Sequence, residues 1–62
     1  EKNIIKKIIT NIKETNTRFI FSGLLKEDKE EMINHLSINN FSIQNINIRG
    51  EWIAINCKKN EN

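Results

Sequence analysis

Proline is absent from the 62 residues, cysteine occurs once, and no His/Cys spacing could bind zinc. None of the usual staples of a small scaffold is therefore available. A chain this short buries only about 60% of the surface its unfolded form exposes. Its core is marginal, and a partner chain or the rest of a larger protein is expected to add stability. No apolar run approaches the about 18 residues a membrane helix needs, and no basic segment leads into an apolar one as in a signal peptide. The expectation is a soluble, cytoplasmic protein with no membrane partner. A charge excess of one sign is missing too. Ten basic and eight acidic side chains are mixed along the chain to a net +2, which gives little reason to expect a polyanion and none to expect DNA. The single Cys57 reads as a reduced core residue, since only Lys58 and Lys59 lend it an electropositive setting.

What is present is a hydrophobic pattern rich in isoleucine. Ile4, Ile5, Ile8, Ile9 and Ile12 form one stripe of a helix over residues 3–14, with Lys2, Lys6, Lys7, Lys13 and Glu14 opposite. Isoleucine is not a strong helix former, so this segment owes its structure to burying that stripe. The period begins directly after Glu1, with neither an initiator methionine nor a capping residue ahead of it; a cut end is expected. Thr15, Asn16 and Thr17 make a polar break. Residues 18–22 then read as a strand covered on both faces, because Phe19, Ile20 and Phe21 show no alternation, with Gly23 as its tight exit.

A second helix is expected over 26–38, with Leu25, Met32, Ile33 and Leu36 on its inner face. Glu27, Asp28, Glu30 and Glu31 crowd its first half, where acidic residues favour the macrodipole. That run reads as a solvated face, since no third metal ligand accompanies Glu27 and Glu31. His35 reads as a surface histidine, and Asn39 or Asn40 as the left-handed closure of the helix. Residues 41–48 form a strand whose apolar phase changes from Phe41 and Ile43 to Ile46 and Ile48, which calls for a bulge near Gln44-Asn45. Arg49-Gly50 is a tight hairpin turn into a last strand over 52–57. Apolar residues on both faces of that strand place it inside the sheet, with Trp52 as core or helix-packing bulk. The crossover makes the first two strands parallel and the hairpin reverses the third, giving the order first, third, second.

Three local pieces sharpen this. Phe21-Ser22-Gly23-Leu24-Leu25-Lys26-Glu27, Asn40-Phe41 and Gly50-Glu51-Trp52-Ile53-Ala54 resemble, in order and spacing, the end of the ribosomal protein L-eleven methyltransferase family (PrmA). The likeness covers residues 17–58, departing where Asn40 replaces a favoured glycine, which asparagine's tolerance of the left-handed region makes harmless. The resemblance implies an α/β fold class, with residues 1–62 a single fragment: the C-terminal α-β-α-β-β portion of a Rossmann-like methyltransferase sheet, needing the upstream part of the same protein to complete it. It implies an S-adenosylmethionine-dependent enzyme acting on amino groups of a ribosomal protein. The cofactor would be bound by the missing upstream region, so this chain would be inactive alone; it offers no metal site and no identifiable catalytic residue. Ligands of open α/β sheets bind outside the carboxyl ends of the strands, which makes Ser22, Gly23, Leu24 and Arg49 the substrate-side candidates. Each also reads as a plain strand exit or sheet terminus. Two alternatives stay open: a stand-alone, non-catalytic module touching protein or RNA through Lys6, Lys7, Lys13 and Arg18, and the same fold with another methyl acceptor.

Overall fold

The computed structural model describes residues 1–61. Helix α1 (Lys2–Asn11) leads into strand β1 (Thr17–Leu25); a 3₁₀ turn (Lys26–Asp28) and helix α2 (Lys29–Ile38) follow, then strands β2 (Phe41–Arg49) and β3 (Trp52–Lys59). The sheet order is β1-β3-β2, and β3 is antiparallel to both neighbours. The outer strands therefore run parallel to each other, as the sequence pattern predicts, without touching.

Register decides which side chains become core. Phe19, Phe21 and Leu24 of β1 oppose Cys57, Ile55 and Ile53 of β3, and Ile43, Ile46 and Ile48 of β2 oppose the same three residues. Ile53, Ile55 and Cys57 are buried in one cluster with Leu24, Phe41, Ile9 of α1 and Met32 and Leu36 of α2. Both helices thus pack on one face of the sheet. Phe19, Phe21 and Phe41 meet on this face at centroid distances of 5.9 to 6.4 Å, Phe41 standing edge-on to the other two. Cys57 is buried, as expected, and loss of water pushes its thiol up to about 11.

The opposite face is bare among the described residues, which corrects the expectation of a strand covered on both sides. Ile20 is 69% exposed and Trp52 55%, so Trp52 is not core. The reading failed because an unbroken apolar run cannot distinguish two buried faces from one. The isoleucine stripe of α1 is likewise only half used, with Ile9 buried while Ile4 and Ile8 stay exposed.

The strand predicted to leave the sheet at Gly23 instead continues to Leu25. Phe21 pairs with Ile55 and Leu24 with Ile53, so Ser22 and Gly23 together oppose Ala54. This is a β-bulge, and Gly23 adopts φ +74° within it. The expected bulge of β2 lies between Ile43 and Asn45. It shifts the apolar phase by one residue and keeps Ile46 on the core side. The hairpin turn is Gly50-Glu51 rather than the expected Arg49-Gly50, because Arg49 still pairs with Trp52; Gly50, at φ +56°, takes the first central position that a type II′ turn reserves for glycine.

The helices differ from their expected spans at their ends. α1 stops at Asn11, three residues short of the predicted end, where Asn11 Nδ2 donates to the Lys7 carbonyl and Ile12 turns extended. Its start does have a cap, since the Glu1 carboxylate accepts from the Asn3 N–H. The first turn of the second helix is 3₁₀ rather than α, and Leu25 is the exposed last residue of β1, not part of the helix's inner face. Asn40, at φ +68°, supplies the left-handed closure. Lys59 Nζ donates to the Asn39 carbonyl at 2.7 Å while lying 4.9 Å from the Phe41 centroid, which ties the end of β3 to the end of α2.

Candidate functional site

Parallel outer strands deliver their carboxyl ends to one edge of the sheet, where the β2–β3 turn also lies. Leu25 and Arg49, the last residues of β1 and β2, both pair with Trp52, the first of β3. The Lys26 N–H donates to the Glu51 carbonyl at 2.7 Å, so the turn is tied to the exit of β1. Two depressions open here. One, of about 540 Å³, is bordered by Ser22, Gly23, Asn47, Arg49, Trp52 and Ala54. The other, of about 570 Å³, is bordered by Gly23, Leu24, Leu25, Glu27, Asp28 and Trp52, with Lys2 at its margin. Gly23 and Trp52 stand between the two.

Three of the four candidate residues, Ser22, Gly23 and Arg49, come together on the first depression. Leu24 does not. Only 1% exposed, it points into the core and anchors the bulge that turns Ser22 and Gly23 outward. The bulge is what gives the cleft its shape, because it sets two residues of β1 against one of β3. Ser22 and Asn47 offer a hydroxyl and a carboxamide, groups that can accept from or donate to a bound polar molecule. Trp52 and Asn47 were not among the candidates. The signal for Trp52 lies in register: the first residue after a two-residue turn faces opposite to Ile53, and Ile53 belongs to the core.

Ion pairs tie α1 to the 3₁₀ turn and to α2, and one of them reaches the second depression. Lys2 Nζ lies 3.3 Å from Asp28 Oδ1 and 3.0 Å from Glu31 Oε1, and Lys6 Nζ lies 2.8 Å from Glu31 Oε2. The hydrogen bond from Lys6, then that from Lys2, holds the Glu31 carboxyl at about 2, and the hydrogen bonds to Glu31 and then to Asp28 raise Lys2. His35 is half-buried rather than on the surface, its Nε2 3.0 Å from the Lys6 carbonyl oxygen and 3.2 Å from Thr10 Oγ1. Among the described residues no group of His, Cys, Asp and Glu could hold a metal ion, and no helix is long and apolar enough to cross a membrane.

The arrangement defines an α/β unit: a three-stranded antiparallel sheet, two helices on one face, and a polar cleft at the edge where the outer strands end. Its family follows from sequence comparison. The model of the family described as Ribosomal protein L11 methyltransferase (PrmA) matches residues 2–60, and the chain belongs to that family. Two relatives named ribosomal protein L11 methyltransferase come from Prochlorococcus marinus. That of strain MIT 9312 is 36% identical over 62 residues, covering 95% of this chain and 20% of the relative. That of strain MIT 9515 is 34% identical over 59 residues, covering 90% and 20%. The chain thus spans about a fifth of the length of these relatives and corresponds to a C-terminal portion of the family. No solved structure matches.

Proposed function

We propose that this chain is the C-terminal part of a Rossmann-like, S-adenosylmethionine-dependent methyltransferase domain that acts in the cytoplasm on amino groups of a ribosomal protein. The observation that carries the reading is the family match over residues 2–60, in a chain whose reversed strand lies between two parallel ones. The cofactor belongs to upstream sequence. Neither of the two glycines opens a helix, as the glycines of a strand-to-helix nucleotide cradle do. When bound, the cofactor supplies an electrophilic methyl group.

The share of the work assigned to this chain is acceptor positioning. An amine attacks only as the neutral base, with its lone pair in line with the methyl carbon. Ser22 and Asn47, on opposite sides of the first cleft, can accept from the amine's N–H bonds and so turn the lone pair outward. Arg49 at the rim disfavours an ammonium beside it. Free β1 backbone at the sheet edge is where upstream sequence would pair.

Two measurements test this reading. The gene product extended upstream of Glu1, incubated with S-adenosylmethionine and ribosomal protein, should place methyl groups on amino nitrogens. An extended product that folds and transfers none would overturn the proposal, as would upstream sequence encoding an unrelated fold. Calorimetric titration of the 62-residue chain with the cofactor should show no binding, and micromolar binding would move the cofactor site into this chain.

A further inference from the structure

The second depression differs in chemistry from the first. Its apolar lining is Trp52, 55% exposed, and Leu25, 37% exposed, and Glu1, Lys2 and Asn3 at the start of α1 line it as well. Its mouth carries Glu27 and Asp28. Asp28 is matched by Lys2 at 3.3 Å, whereas Glu27 is exposed and takes part in none of the ion pairs among the described residues. Apolar surface from Trp52 and Leu25 beside an unmatched carboxylate fits a side chain with an aliphatic stem and a cationic head. Lysine has that form: its methylenes cover apolar surface while its ammonium stays at a polar mouth, and an indole face adds attraction for the cation.

We propose that the groove between Trp52, Leu25 and Glu27 binds a lysine side chain of a polypeptide, as an anchoring subsite beside the acceptor cleft. The assignment rests on the function proposed above. Electrostatics separates the roles of the two depressions. Carboxylates stabilise an ammonium and hold it charged, and a charged ammonium has no lone pair with which to attack. The acidic groove therefore suits an anchor, and the cleft lined by Ser22, Asn47 and Arg49 suits the reacting amine. Because Gly23 and Trp52 border both, a segment crossing the indole would put one side chain in each. The acceptor would then be a lysine-containing segment with a second lysine close to the reacting amine.

The test needs neither cofactor nor methyl transfer. The 62-residue chain is titrated with a lysine tripeptide blocked at both ends, and with the same peptide acetylated at Nε, following the Trp52 indole N–H and the Glu27 side-chain carboxyl carbon by NMR. The free amine should shift both resonances saturably and the acetylated peptide neither. Glu27→Gln should weaken binding about threefold, as expected for an exposed ion pair, and Trp52→Leu by about the same factor through loss of the cation–π contact. Both side chains are exposed, and the amide spectrum of each variant establishes that it is folded. Equal shifts with the acetylated peptide, no saturable shift at Trp52, or affinity unchanged in both variants would overturn the subsite. Binding here together with an extended product that transfers no methyl groups would defeat the methyltransferase reading instead. Methyl transfer by that product with no binding here would defeat the subsite alone.

Discussion

The two faces of this sheet are built from the same three strands and carry opposite instructions. On one, Leu24, Ile53, Ile55 and Cys57 are buried beneath the helices, with Phe19 and Phe21 half-buried beside them. On the other, Ile20 and Trp52 stand in solvent among Asn45, Asn47 and Asn56. Alternation along β3 assigns its residues to the two sides, while the bulges in β1 and β2 keep both outer strands in phase with it. The covered face determines whether the chain folds. The bare face, with the edge it shares with the cleft, is available for recognition or for further chain.

The contrast is tested most severely by truncating one residue on each face. Ile55 is fully buried at the centre of β3, and Ile55→Ala should cost about 2–5 kcal/mol, enough to unfold most of a 62-residue chain. Ile20→Ala, at a site 69% exposed, should change stability by about 0.5 kcal/mol or less. Urea denaturation of the two variants reads the difference directly. Comparable losses would mean that Ile20 is covered in solution, by a second copy or by another segment.

The bulge joins the two faces, and Gly23→Ala measures what it requires. A Cβ at Gly23 would meet nothing within 4 Å, so the whole penalty comes from φ +74°. A left-handed alanine costs about 1–2 kcal/mol, smaller than the core truncation and without any loss of packing. If Gly23→Ala were neutral, the bulge would have relaxed, and the cleft resonances of Ser22 and Trp52 should then move.

Much of this architecture was legible in the residues, and the failures share one cause. The phase change from Ile43 to Ile46 disclosed the bulge of β2 because isoleucines flank it on both sides. An equivalent change, Phe21 to Leu24, was present in β1 but lay across a Ser-Gly pair that reads as readily as an exit. Strand order followed from the two-residue turn and the apolar character of β3. Burial did not follow, because Trp52 and Ile20 look like core to any pattern that counts apolar residues. Which face receives the helices is set by tertiary packing that periodicity does not encode. Ser22, Gly23 and Arg49 could be brought to one edge from topology alone, whereas Asn47, Glu27 and the position of Trp52 between two depressions required register.

Electrostatics offers a finer probe of the covered side, since the clamp of Lys2 and Lys6 on Glu31 holds α1 against α2. Glu31 sits at about 2 in the folded chain against an ordinary 4.5. A carboxyl depressed by folding contributes stability that is complete above its unfolded value and is lost as pH falls through the folded one. The contribution should therefore fade between about 4.5 and 2. Glu31→Gln should remove that part of the acid limb while leaving the neutral-pH spectrum of the sheet unchanged. The effect is modest because the pair is exposed, and salt should diminish it. A wild-type acid limb that Glu31→Gln leaves unaltered would show that the clamp on Glu31 contributes nothing to holding the helices together.

The smallest effect belongs to Trp52, and it sharpens the comparison by a spectroscopic route. An indole on a bare face should emit as a solvated tryptophan and be quenched readily by acrylamide, and unfolding should change its emission little. The chain's single tryptophan makes the signal unambiguous. Trp52→Leu should shift stability by no more than about 0.5 kcal/mol, since the side chain is 55% exposed and lies opposite the core. The same chain extended upstream of Glu1 should give a different result if added segments close over this face, with blue-shifted emission and reduced quenching. Emission that is already blue-shifted and protected in the 62-residue chain would mean that Trp52 is sequestered without upstream sequence. Self-association through the bare face would then account for it, and the emission should depend on protein concentration.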